Sequence, residues 1–180
     1  MYAKKTIFTV PNLLTLLRLL LLPFVMALIG NDMHEYKIEI FALLFFQGIT
    51  DVLDGFIARK YHCISELGKI LDPIVDKILI CGIMIVLLQY GFPSLLFWIA
   101  VSRDICILAV GYFFIIRKRN FIPVSNISGK IATFFLVTFC LLFIAGYQLE
   151  WYYMLTLGVL GVSAISYTIF TVKLYVRGRQ

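Results

Sequence analysis

Charged residues are scarce in this sequence of 180 residues: Asp, Glu, Lys and Arg make up 14% of it, against about 25% in average soluble domains. Hydrophobic residues make up 62%, where soluble domains have roughly 45–50%. This balance excludes an ordinary soluble domain. We expect an all-α, polytopic membrane protein with a single domain over residues 1–180, surrounded by the lipid bilayer and without a nucleic-acid partner.

Cysteine and histidine are also few, with four and two residues. No pair of cysteines has a CxxC or zinc-ligand spacing, and at least three of the four lie inside apolar runs, so we interpret them as reduced packing residues. The two histidines, His34 and His62, lie in or near predicted links without a ligand spacing. A zinc site and a disulfide framework are therefore not expected. The cysteines are Cys63, Cys81, Cys106 and Cys140.

Apolar runs long enough to cross a bilayer occur six times. Turn-forming residues separate them at 30–31, 91–93 and 146–148, and polar links separate them at 61–66 and 117–126. Six spans place both termini on the same side of the membrane. The predicted spans are 10–30, 37–59, 68–90, 93–116, 127–147 and 151–174.

The positive charges of the chain lie almost entirely on one side of this topology. Near the turns of the opposite side we find only Lys37. By the positive-inside rule, both termini and the link between spans two and three face the cytoplasm. The charges on the cytoplasmic side are Lys4, Lys5, Arg59, Lys60, Lys69, Arg117, Lys118, Arg119, Lys130, Lys173, Arg177 and Arg179.

Four carboxylates stand at helical spacings at the cytoplasmic ends of spans two and three. Asp51 and Asp54 are three residues apart, and Asp72 and Asp76 are four apart. Each pair shares one face of its helix. If the two helices run antiparallel, the four carboxylates converge on one volume.

Such a cluster is costly, because an aspartate at membrane depth costs roughly 2.5–3.5 kcal/mol and the four charges repel each other. Two divalent cations would balance them, and carboxylate oxygens suit Mg²⁺, Mn²⁺ or Ca²⁺ rather than softer metals. We therefore predict a two-metal site that acts on a phosphate-bearing substrate. Alternatives from other classes are a cation transporter or channel, in which acids lie near the midplane, and ordinary loop carboxylates.

The residues between the carboxylates complete a longer pattern, Asp-x2-Asp-Gly-x2-Ala-Arg-x8-Gly-x3-Asp-x3-Asp, over residues 51–76. This pattern resembles the signature of the CDP-alcohol phosphatidyltransferase family, with every fixed position present. The resemblance implies a membrane enzyme of phospholipid biosynthesis that transfers a phosphatidyl group from CDP-diacylglycerol to an alcohol and releases CMP. It also implies an integral protein of the cell (inner) membrane, with its active site facing the cytoplasm, and a homodimer as the oligomeric state to expect.

The resemblance assigns roles to the residues of the pattern. Two cations, Mg²⁺ or Mn²⁺, would be held by all four aspartates, and Asp76 would also be the general base. Gly55, Ala58 and Gly68 would leave room for the nucleotide, and Arg59 offers a bidentate contact to phosphate. The expected nucleotide- and pyrophosphate-binding residues are Asp54, Gly55, Ala58, Arg59, Gly68 and Asp72.

The first span begins with a polar stripe inside an apolar run. Asn12, Thr15 and Arg18 are three residues apart in turn, so they share a helix face. Arg18 either serves the site or extends to the membrane interface. The run Pro-Asn-Leu-Leu-Thr-Leu-Leu-Arg also resembles the opening of the family's phosphatidylglycerophosphate and cardiolipin synthase branch.

The acceptor alcohol is expected to meet span four. Arg103 should face a polar cavity and should not pair with its neighbour Asp104, because adjacent helical residues diverge; the alternative is a buried ion pair between helices. Lys130 and Arg117 are further acceptor candidates. In the phosphatidylglycerophosphate synthases a second arginine usually stands eight residues after the first, where this chain has Gly111. Glycerol 3-phosphate is our first choice of acceptor, and phosphatidylglycerol is the alternative.

Overall fold

A computed structural model of the chain describes residues 10–60, 66–116 and 127–177. Within these ranges the side chains are described except at 10–11, 54–55, 57–59, 66–71, 110–116 and 171–177. The described residues form α-helices, one short 3₁₀ helix and the turns between them, with no strand among them. The predicted all-α class is confirmed.

In the described part of the chain, six α-helices correspond one to one with the six predicted apolar runs. A 3₁₀ turn, Leu88–Tyr90, continues the third helix. The helices are α1 (Val10–Asp32), α2 (Lys37–Lys60), α3 (Glu66–Leu87), α4 (Ser94–Ile116), α5 (Ile127–Ala145) and α6 (Glu150–Arg177).

Four stretches of the described residues are long and apolar enough to cross a membrane: Asn12–Asp32, Asp72–Tyr90, Ile127–Ala145 and Glu150–Phe170. Large apolar side chains cover their outward faces and those of the other helices, as expected for surfaces in contact with lipid. The crossings of α2 and α4 stay predictions. Examples of exposed apolar residues are Leu20, Phe24, Phe45, Trp98, Phe134 and Trp151.

The first turn lies later than the sequence indicated, because α1 continues through Gly30 and Asn31 to Asp32. The Asp32 carboxylate accepts hydrogen bonds from the backbone N–H groups of His34 (2.8 Å) and Glu35 (3.1 Å), which fixes the turn after it. The Tyr90 hydroxyl donates to the Ile29 carbonyl (2.7 Å) and accepts from the Met33 N–H (3.3 Å). These bonds supply partners for the backbone at the end of α1.

The other two predicted turns are confirmed, and each contains a glycine in the left-handed region. Gly91 has φ = 85° and Gly146 has φ = 92°. After α5, the Gly146 N–H donates to the Phe143 carbonyl (3.0 Å) and the Tyr147 N–H to the Leu142 carbonyl (2.9 Å). This is the Schellman pattern, which closes a helix with glycine because other residues are strained at positive φ.

The chain divides into two compact units, Met1–Phe92 and Pro93–Gln180. In the first, α1 packs against both α2 and α3. In the second, α6 packs against α5 and α4, and Tyr152 stacks on Phe135 and Phe139 with ring centroids 5.8 and 6.3 Å apart. The single domain predicted over residues 1–180 stays a prediction.

A small residue sets the distance between α1 and α3. Leu22 packs with Val75 and Leu79 in the core of the first unit. One turn further along α3, a Cβ atom placed on Gly82 would lie 3.2 Å from Leu22 Cδ2 and 3.2 Å from the Met26 sulfur. Glycine therefore allows the two helices to approach closely, as is common between membrane helices.

We expect Gly82→Leu to destabilise the protein by about 1–3 kcal/mol, because the new side chain must push α1 away from α3. Gly48→Leu is the matched control, since no described atom beyond its own helix backbone and its two chain neighbours lies within 4 Å of a Cβ placed there. Denaturant unfolding in detergent micelles measures both variants. Equal stabilities would contradict the close packing at Gly82.

Candidate active site

The polar stripe of α1 points into the first unit. Asn12, Thr15 and Arg18 have 6%, 0% and 2% of their surface exposed. All three lie in an otherwise apolar helix, so they need polar partners inside the protein. The interpretation of Arg18 as a side chain extending to the interface is wrong for this structure, because its guanidinium group is buried.

Arg18 joins carboxylates from two helices. Its Nη1 atom donates to Asp51 Oδ1 of α2 at 2.5 Å and to Asp76 Oδ1 of α3 at 3.0 Å. The two aspartates themselves are about half exposed, at 51% and 47% of their side-chain surface. One buried positive charge therefore holds two partly accessible negative charges close together.

A third carboxylate is held by the same helix. The Thr15 hydroxyl donates to Asp72 Oδ1 at 2.7 Å. The structure thus brings Asp51, Asp72 and Asp76 to one side of α1, as the spacing predicted for the two antiparallel helices. What the sequence did not indicate is that α1 makes the contacts that gather them.

Two further residues belong to this polar region although they were not predicted from the sequence. The Gln47 side chain, buried in α2, donates its Nε2 hydrogen to the Arg18 carbonyl at 3.4 Å. Thr50, also buried, donates its hydroxyl to the Gln47 carbonyl at 2.8 Å. The sequence did contain a clue, because Gln47 is a polar residue in an apolar helix. It stands four residues before Asp51, which is about one helical turn, and so shares a face with it.

The donor atoms fit a hard divalent cation. Asp51, Asp72 and Asp76 offer carboxylate oxygens, and the half-exposed pair has lone pairs beyond those that Arg18 uses. Among the described side chains, no group of three or more Asp, Glu, His or Cys residues is arranged so that it could hold a metal ion. The side chain of Asp54 lies outside that description, so the predicted four-aspartate set is not tested.

The remaining nucleotide-binding candidates lie near the C-terminal end of α2 and the N-terminal end of α3. Their backbone is helical, but their side chains lie outside the described residues, so their roles stay predictions. These residues are Asp54, Gly55, Ala58 and Arg59 in α2, and Gly68 in α3.

The expectation that Arg103 and Asp104 do not pair is wrong. Arg103 donates from Nε (2.9 Å) and Nη2 (2.7 Å) to Asp104 Oδ1. The arginine is only 5% exposed, and an unpaired buried charge is costly, so its long side chain folds back to the neighbouring carboxylate. Nη2 also lies 3.5 Å from the Thr133 hydroxyl of α5.

Arg103 is buried, and the polar cavity predicted around it stays a prediction. Its Nη1 atom nevertheless has no hydrogen-bond acceptor within the part of the chain that the structure describes. Lys130 lies exposed in α5. Arg117 lies outside the described residues, so its role as an acceptor ligand stays a prediction, as do those of Lys130 and Arg103.

Residues 8–169 match the CDP-alcohol phosphatidyltransferase family. The chain belongs to this family. Membership confirms the resemblance of the aspartate pattern and makes the protein a phosphatidyltransferase of phospholipid synthesis, integral to a membrane by its apolar helices. The family uses divalent metal ions. Family membership disfavours a cation transporter or channel. Asp51, Asp72 and Asp76 lie in helices, so they are not ordinary loop carboxylates.

Relatives in two functional groups are similar to the chain. The CDP-diacylglycerol–glycerol-3-phosphate 3-phosphatidyltransferase of Aquifex aeolicus is 39% identical over 132 residues, 70% of each chain. The Rickettsia felis enzyme of the same name is 36% identical over 130 residues, 69% of this chain and 68% of that protein. Human CMP-forming cardiolipin synthase is 39% identical over 115 residues, 62% of this chain but 36% of the human protein.

We expect Thr15→Val to lower the free energy of unfolding by about 1–2 kcal/mol, because Asp72 loses a buried hydroxyl donor. Thr15→Ser should retain most of the stability. The control is Thr138→Val in α5, a partly exposed threonine whose hydroxyl donates to the Phe134 carbonyl of its own helix. This variant should change stability by less than about 0.5 kcal/mol. Denaturant titration in micelles compares the three. A loss at residue 138 as large as at residue 15 would refute the specific role of the Asp72 contact.

Proposed function

We propose that the protein transfers the phosphatidyl group of CDP-diacylglycerol to glycerol 3-phosphate, forming phosphatidylglycerophosphate and CMP. The observation that supports the site is the gathering of Asp51, Asp72 and Asp76 around Arg18 and Thr15 of α1. The choice of acceptor rests on the Aquifex and Rickettsia relatives, which are named for glycerol 3-phosphate. Their alignments with this chain cover about 70% of their own length.

In this proposal the four aspartates would hold the two cations, and Asp76 accepts the proton of the acceptor hydroxyl. The acceptor oxygen forms a bond to the phosphorus of the phosphatidyl group, and the bond from that phosphorus to the oxygen of CMP breaks. Mg²⁺ or Mn²⁺, when bound, supplies the positive charge that the pyrophosphate and the leaving CMP require. Asp76 suits the proton transfer because about half of its side-chain surface is open to an approaching hydroxyl.

The nucleotide is assigned to the C-terminal end of α2 and the N-terminal end of α3. Gly55, Ala58 and Gly68 keep the helix surfaces small, so that the cytidine and pyrophosphate approach the backbone. Arg59 would form a bidentate contact with phosphate. These assignments rest on the match of the sequence pattern to the family. Asp54 and Asp72 are assigned two roles, as metal ligands and as pyrophosphate-binding residues.

The acceptor phosphate is assigned to Arg103, with Lys130 and Arg117 as further cations. The buried Nη1 atom of Arg103, without an acceptor among the described residues, supports this choice. The second candidate function uses phosphatidylglycerol as the acceptor and makes cardiolipin. Gly111 favours it, since the position lacks the second arginine expected for a phosphomonoester, and the human relative is named for that reaction.

The protein is further proposed to cross the cell (inner) membrane six times with both termini and the active site in the cytoplasm, and to form a homodimer. The distribution of lysine and arginine supports the orientation. Single cysteines placed near residues 2 and 178 in a variant without native cysteines should react only with reagents on the cytoplasmic side. A cysteine near residue 33 should react only from outside, and the reverse pattern would exclude this orientation.

Removal of divalent cations should abolish CMP release, and Mg²⁺ or Mn²⁺ should restore it. Changing Asp51, Asp54 or Asp72 to Ala should each lower the rate at least about a hundredfold, in the range seen when a group that stabilises transition-state charge is removed. Assays of purified protein with CDP-diacylglycerol, before and after EDTA treatment, measure this. Full activity in metal-free buffer would refute the metal mechanism.

Radiolabelled glycerol 3-phosphate should enter a lipid product when CDP-diacylglycerol is present. Arg103→Gln should raise KM for glycerol 3-phosphate roughly tenfold to a hundredfold, since a charge-assisted phosphate contact contributes about 1.5–3 kcal/mol. KM for CDP-diacylglycerol should change little and serves as the internal control. No incorporation of label, together with turnover of phosphatidylglycerol, would favour the cardiolipin alternative over the first choice.

A further inference from the structure

Arg18 and a divalent cation would share the same two carboxylates, those of Asp51 and Asp76. The side chain of Arg18 is 2% exposed, and its Nη1 atom contacts Oδ1 of Asp51 and Oδ1 of Asp76. The two carboxylates are about half exposed. Arg18 therefore contacts them from within the protein, while part of each carboxylate remains accessible to a ligand from outside.

The positive charge of Arg18 offsets the negative charges of Asp51 and Asp76. Two carboxylates that contact one nitrogen lie only a few ångströms apart, and without a cation they would repel each other strongly in these surroundings. A divalent cation bound to the same carboxylates would in turn be repelled by the guanidinium charge. We propose that Arg18 is a built-in counter-ion, which positions Asp51 and Asp76 in the absence of metal and weakens the binding of divalent cations when they arrive. The proposal rests on the metal site of the proposed function.

The surroundings of Arg18 keep its charge near the carboxylates. Its backbone carbonyl accepts a hydrogen bond from buried Gln47, and its helix packs against α2 and α3. Arg103 differs, because it pairs with the carboxylate that follows it in the same helix. Arg18 instead connects two helices and is a positioning residue, since it acts on the reaction through the aspartates.

Mn²⁺ binding to purified protein tests the proposal without an activity assay. The electron paramagnetic resonance signal of free Mn²⁺ gives the dissociation constant. Arg18→Gln and Arg18→Met, which remove the charge, should each bind Mn²⁺ on the order of tenfold more tightly than the unaltered protein. Arg18→Lys should stay close to the original affinity, because it retains the charge. Lys37→Gln, the same charge change at the opposite end of α2, should leave the affinity unchanged.

Thermal unfolding provides a second measurement. In EDTA, Arg18→Gln should unfold at a lower temperature than the unaltered protein, because Asp51 and Asp76 lose the positive charge of Arg18 that offsets their repulsion. Mg²⁺ should then raise its Tm by more than it raises that of the unaltered protein, through the tighter binding.

The outcomes separate the two claims. Equal or weaker Mn²⁺ binding by Arg18→Gln and Arg18→Met would overturn the counter-ion role while leaving the metal site intact. Absence of Mn²⁺ binding in every variant, the unaltered protein included, would overturn the metal site of the proposed function. Tighter binding by Lys37→Gln to the same extent would show a general charge effect and would also overturn the specific role of Arg18.

Discussion

The contact of Arg18 with Asp51 and Asp76 is the interaction on which the first unit depends. Charges inside an apolar bundle need partners, and here one guanidinium nitrogen supplies a partner for two carboxylates on different helices. The contact fixes how α2 and α3 are placed on α1. It also explains how acidic residues can be gathered at one place before any cation neutralises them.

The helix α1 meets its neighbours in two chemically different ways. Near its start, Thr15 and Arg18 bind the carboxylates, whereas further along Leu22 and Met26 pack closely against Gly82 of α3. The polar contacts determine which faces meet, and the apolar contact determines how closely. A phosphatidyltransferase needs both, because its carboxylates must be held at fixed positions although the lipid around the protein gives them no support.

Much of this arrangement could be predicted from the sequence. Long apolar runs and turn residues indicated all six helices, and the spacing of Asp72 and Asp76 indicated a shared face. The sequence did not show that α1 gathers the carboxylates, nor that Gln47 contacts Arg18, because such partners depend on how helices pack. The expectation that Arg103 and Asp104 do not pair was wrong, because a long flexible side chain can reach a neighbouring residue that helix geometry directs away.

The roles of the residues around the aspartates follow from their match to the family pattern rather than from described contacts. The location of the metal decides whether those roles hold. Anomalous X-ray scattering at the manganese absorption edge, from crystals grown with Mn²⁺, measures that location directly. Our account predicts peaks within about 2.0–2.6 Å of the carboxylate oxygens of Asp51, Asp72 and Asp76, a range typical of hard divalent cations. Bound manganese located only elsewhere in the protein would contradict it.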